Sequence, residues 1–151
     1  MKSLTVDDIL TRDQIESIEA TIAEAELTTS AEIRVHLEDE CAESVLDHAA
    51  FIFEELHMHS TALRNGVLIY VAPGTKQMAV IGDVGIHQKV IVGFWDHVKD
   101  RMIYEFKKGD FESGIKDGIR VVGAELAKHF PREHNDQNEL DNTISRGKKN
   151  A

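Results

Sequence analysis

Two aspartates, each beside a glycine in a loop between elements, are the residues of this chain best suited to chemistry. Asp83 lies in Gly82-Asp83-Val84-Gly85, and Asp110 closes Lys107-Lys108-Gly109-Asp110. A carboxylate supplies the hard oxygen that Ca2+ or Mg2+ prefers, and flanking glycines let backbone carbonyls approach an ion. The same residues suit the end of a strand or the N-cap of a helix, Asp83 ahead of Ile86 and Asp110 ahead of the last helix. Both readings stand on the residues alone. The ionic one gains most if the fold brings the two carboxylates together.

Other groups carry weaker signals. His57-Met58-His59 can set two imidazoles on one side of an extended segment, but no third ligand has the spacing a zinc site needs. Arg34 and His36 share the polar face of a strand, where pairing with neighbouring acids is expected and anion binding is the alternative. His48, His87, His97 and His129 read as surface or cap groups. There is no glycine-rich phosphate loop, no G-x-S-x-G elbow and no H-E-x-x-H. Asp47 stands six residues after Cys41, where the loop of a cysteine phosphatase needs arginine.

The elements that must position these residues follow from periodicity. Thr11 and Gln14 form a capping box, and Ile15, Ile18, Ile22 and Ala25 continue it as a helix over 12–27. "AEIRVHLE" alternates as a half-buried strand, and 42–56 returns to helical spacing. "GVLIYVA" is a continuous apolar run, as in a strand buried on both faces. Pro73 to Lys76 is turn chemistry, so "QMAVIG" pairs back as the second arm of a hairpin. Ile86, Val90, Phe94, Val98 and Met102 step by four, with Gly93 as a break, and Ile115 to Leu126 forms the last helical face before Pro131. The order predicts an α/β fold with a mixed sheet, parallel strands plus a hairpin, between helices. The domain is expected over 10–131, with 132–151 a polar, flexible tail.

Composition narrows the partners. A net charge of −10 on 151 residues argues against nucleic acid and anionic membranes, and suits the attraction of cations. No apolar run reaches the ~20 residues of a membrane span. A single cysteine and no visible secretory signal make the cytoplasm the expected location.

"TSAEIRVHLE", "RNGVLIYVA", "MAVIGDVGIH", "FWDHVKDRM" and "FKKGDFESGIKDGI" occur in an order and spacing that resembles the TPM domain. The resemblance runs from about Ile15 to Phe130, and "NELDNTISRG" is similar to the ending of small stand-alone bacterial members. It implies a mixed sheet of four or five strands sandwiched between helices and a divalent-cation site in the loops, with the glycine-aspartate positions falling on Asp83 and Asp110. For the thylakoid member it implies acid phosphatase activity. Many relatives carry a signal peptide or membrane helix, and this sequence shows neither, which argues against a role in membrane repair. The resulting expectation is a divalent-cation-binding module for Ca2+ or Mg2+, with a metal-assisted acid phosphatase as the alternative.

Overall fold

The computed structural model of the chain describes residues 3–132 and 142–147. Ten elements of α-helix and β-strand occur among them in the order α1 (Val6–Ile9), α2 (Arg12–Glu26), β1 (Glu32–Leu37), α3 (Val45–Glu55), β2 (Gly66–Ala72), β3 (Gln77–Gly82), α4 (Val84–His87), α5 (Phe94–Phe106), α6 (Phe111–His129) and β4 (Ser145–Arg146). The strands form one open sheet in the order β3-β2-β1-β4. β1 runs parallel to both β2 and β4, and β2 pairs antiparallel with β3. The mixed sheet, the hairpin and the parallel pair agree with the expectation from sequence.

Strand alternation sorts the core into two layers. Ile33, Val35, Leu37, Val67, Ile69, Val71 and Val80 face α2, α5 and α6. Leu68, Tyr70, Ala72 and Ala79 face the other way, onto Ala49 and Ile52 of α3 and onto Met58. β2 is buried along its whole length, as a central strand between helix layers must be. The capping box at Thr11 and Gln14 starts α2, and Gly93, at φ +86°, separates α4 from α5.

Three features depart from the reading by periodicity. β1 is not half-exposed: Glu32 and His36 on its polar face are buried. α1 precedes the first expected helix and carries its own capping box from Thr5 to Asp8. The sheet also takes up Ser145 and Arg146, with Ile144 buried in the core, so the folded unit extends past residue 131. The rest of the expected tail, 133–141 and 148–151, lies outside the described residues.

Glu32 shares its burial with Glu26 at the end of α2, at 2% and 3% exposure. Glu26 accepts the Ile33 N–H at 2.9 Å. Burial and the neighbouring Glu32 charge raise the Glu26 pKa to about 8, against the hydrogen bond from Ile33. The folded value lies above the ordinary 4.5, so protonated Glu26 contributes stability that is complete below 4.5 and is lost as pH rises through about 8. Glu26→Gln keeps the acceptor and removes the charge. The variant is expected to lose this alkaline destabilisation, read as a smaller fall in Tm than the parent shows between about pH 6 and about pH 9.

Candidate functional site

β1 ends by delivering Glu38 to the carboxyl edge of the sheet. α3 leaves β1 on one face, and the helices that lead to β4 pack on the other, so the chain turns to opposite sides of β1 here. Such a switch point opens a crevice at strand ends and is where open α/β sheets bind ligands. A cavity of about 830 Å³ occupies the place, lined by His36, Glu38, Glu43, His48 and Arg146 among others.

Glu38 is the hub of this crevice. Its Oε2 accepts the Tyr70 hydroxyl at 2.5 Å and His48 Nε2 at 2.8 Å, and its Oε1 meets His36 Nε2 at 3.1 Å. Tyr70 lies in a fully buried strand, where its phenol has to find an acceptor. Burial alone would raise the Glu38 pKa, but the hydrogen bonds from Tyr70 and His36 outweigh it and hold the carboxyl below its ordinary value. The same carboxylate and burial push the Tyr70 phenol up.

The two imidazoles are driven apart. His48 meets a carboxylate through each ring nitrogen, Glu43 at Nδ1 (2.5 Å) and Glu38 at Nε2 (2.8 Å). Ionised carboxylates only accept, so where both are ionised both nitrogens carry protons, and the two contacts favour the imidazolium form. Burial opposes that charge, yet Glu43 and Glu38 overcome it and raise the His48 pKa. His36 is deeper and meets one carboxylate among the described residues, Glu38, its Nδ1 lying 2.7 Å from the Ser145 hydroxyl. Burial dominates there and lowers its pKa. A neutral His36 with its proton on Nε2 donates to Glu38, and its Nδ1 accepts the Ser145 hydroxyl at 2.7 Å in place of that hydroxyl's longer 3.4 Å bond to the Val35 carbonyl. Two titratable groups set on opposite sides of their common value are the usual pattern of an acid and base pair.

Asp83 and Asp110 lie elsewhere and apart. Asp83 stands beside the amino end of β2, its N–H donating to the Gly66 carbonyl at 2.9 Å. Asp110 lies by the carboxyl end, since Gly109 and Phe111 share a cavity with Ala72 and Pro73. The seven residues of β2 separate the two ends by about 20 Å. Asp83 is buried and caps α4 through Val84 N–H at 2.7 Å, while both of its oxygens take a bidentate Arg64 guanidinium at 2.8 and 2.9 Å. Its glycines serve packing: a Cβ at Gly82 would meet the Trp95 ring at 2.6 Å, and one at Gly85 would strike the Leu63 carbonyl. Asp110 is exposed and caps α6 by accepting the Ser113 N–H at 3.0 Å, which lowers its pKa.

The sequence profile of the TPM domain matches residues 5–125. The chain belongs to the TPM domain family. It is similar to the BA42 protein of the psychrophilic bacterium Bizionia argentinensis, known from an NMR structure, at 43% identity over 95% of this chain and 99% of that one, with a TM-score of 0.88. The N-terminal domain of a P. gingivalis protein shares the fold at 16% identity and a TM-score of 0.67, covering 89% of this chain and 100% of that one. A Corynebacterium glutamicum N-terminal domain does so at 12% and 0.63, covering 83% and 80%. No curated protein matches.

In this TPM domain, no group of three His, Cys, Asp or Glu side chains among the described residues is arranged to hold a metal ion. His57 and His59 approach each other, with ring centroids 6.4 Å apart, without a third ligand. His36 pairs with an acid as expected, whereas Arg34 makes no ion pair among the described residues and its Nε lacks a hydrogen-bond partner. No helix among them is long and apolar enough to cross a membrane.

The unequal burial of the two aspartates gives an expected contrast. Asp83→Ala loses the α4 cap and leaves Arg64 without its partner, and is expected to cost at least the ~1 kcal/mol of an N-cap. Asp110→Asn keeps a capping oxygen and is expected to melt close to the parent. Thermal melts of the two variants check this directly.

Proposed function

We propose that this TPM domain is a divalent-cation-binding module for Ca2+ or Mg2+, with the ion entering the crevice at the carboxyl end of β1. The observation that supports this reading is the gathering of Glu38, Asp39, Glu40, Glu43 and Glu55 around one cavity. Their summed charge attracts a cation, and their oxygens are the donors that Ca2+ and Mg2+ select. As they stand, no three of them are arranged to hold an ion among the described residues, and Glu38 and Glu43 are engaged by His48, so an ion has to displace those bonds, and micromolar to millimolar affinity is expected. Asp110 offers a single exposed carboxylate as a weaker alternative. Asp83 already holds a cation, the Arg64 guanidinium, which an ion would have to displace.

A second reading, a metal-assisted phosphoric monoester hydrolase, is favoured by the His48 imidazolium beside an ionised Glu38. A bound ion would activate a water to attack the phosphorus and polarise the phosphoryl oxygen, and His48 would protonate the ester oxygen as its bond to phosphorus breaks. Hydrolysis of p-nitrophenyl phosphate with Mg2+, lost in His48→Gln, would support it.

The cation reading is tested by amide NMR titration with Ca2+, Mg2+ and then EDTA. Saturable shifts are expected at 38–43 and around His48, weakened in Glu43→Gln. The affinity should rise with pH, because the ion competes with the His48 proton for Glu38 and Glu43. Shifts confined to 82–85 or 108–111 would move the ion to Asp83 or Asp110, and no saturable shift with either ion would overturn the proposal.

A further inference from the structure

A second cavity has the opposite chemistry. It measures about 530 Å³ and lies between the β2–β3 turn and the junction of α5 with α6. That volume falls in the range of small-molecule sites. Its walls include Val71, Met78 and Ile103, together with Phe106 and Phe111, whose rings stack at 5.1 Å. No aspartate or glutamate among the described residues lines it, although the chain has 27 acids against 17 lysines and arginines.

Two cations do line it, Lys76 and Lys107. Lys99, Lys108, Lys116 and Lys128 each pair with a carboxylate three or four residues away on a helix. Lys76 and Lys107 make no ion pair among the described residues. Lys76 is held in the left-handed region, at φ 54°, a costly conformation for a non-glycine residue. It follows the short turn Pro73–Thr75 and is fixed there by its N–H donating to the Pro73 carbonyl at 3.1 Å. An apolar cavity with an aromatic wall and two ammonium groups that make no ion pair among the described residues is matched by one kind of molecule. Its body is hydrocarbon and its head is an anion that accepts several hydrogen bonds.

We propose that this cavity binds a medium-chain monocarboxylic acid, with the chain against Met78, Ile103, Phe106 and Phe111 and the carboxylate at Lys76 and Lys107. Carboxylates stand close by, Asp110 between Gly109 and Phe111 of the lining and Asp96 and Asp100 in an adjoining recess that shares Lys76, so the anion has to settle against the two ammonium groups and away from that recess. The head is selected by charge-assisted hydrogen bonds and the body by removal of carbon from water. The site is separate from the acid-lined crevice of Glu38 and does not depend on cation binding there.

The test uses the full chain and sodium octanoate below its micelle concentration, followed by NMR of the Met78 and Ile103 methyls and the two phenylalanine rings. Octanol serves as the uncharged control, and the double variant Lys76→Gln, Lys107→Gln removes the head site without touching the walls. Saturable shifts at these groups are expected with octanoate, weakened about tenfold or more in the double variant, since each charge-assisted bond carries on the order of 1.5 kcal/mol. Octanol is expected to bind more weakly and equally to both proteins. The proposal is overturned if octanoate gives no saturable shifts, if octanol binds as tightly, or if the double variant binds octanoate as the parent does.

Discussion

One carboxylate ties the functional end of this domain together. Glu38 stands just past β1 and receives Tyr70 from β2 and His48 from α3, while His36 links it to Ser145 on β4. Three donors on one carboxylate form a charge-assisted network that is strong when satisfied and costly when opened. The geometry of the crevice follows from it. α3 is held over the sheet partly by His48, and the short strand β4 is anchored beside β1 partly through the Ser145 hydroxyl. Without Glu38, the buried phenol of Tyr70 and the imidazolium of His48 would each lose an acceptor.

The charges of the chain are segregated around the same end of the sheet. Carboxylates from the segment after β1 and from α3 line one cavity, and two unpaired lysines line the other. The two cavities meet the same backbone: Gly74, in the turn after β2, donates its N–H to the carbonyl of Asp39 at 2.8 Å. A chain of net charge −10 therefore presents both an acidic and a basic recess within one structural neighbourhood. The opposite end, where Asp83 holds Arg64, is closed by a satisfied ion pair and a helix cap.

Much of the fold was legible because its elements are long and periodic. The run from Gly66 to Ala72 is buried throughout, and its hairpin partner spans Gln77–Gly82 as the proline-glycine turn implied. α1 and β4 escaped periodicity because they have four and two residues, too few to show a pattern. The burial of Glu32 and His36 escaped it because alternation alone does not tell a solvated polar face from a buried paired one. The Glu38 site was illegible as a motif, since its partners lie two, ten and thirty-two residues away. One signal was present: a tyrosine inside a strand buried on both faces requires an acceptor, and the end of the parallel neighbour is where one is found. The glycines beside Asp83 pointed to an ion by composition, but packing against Trp95 and Leu63 accounts for them.

The central claim is that Glu38 and Glu43 hold His48 as an imidazolium while burial keeps His36 neutral. Long-range proton–nitrogen NMR of the histidine rings, recorded as pH is varied, reads both protonation state and tautomer. His48 is predicted to keep both ring protons above the ~6.5 of a free imidazole. His36 is predicted to stay neutral below that value, with its proton on Nε2. A neutral His48 through that range, or a His36 that titrates with it, would contradict the account.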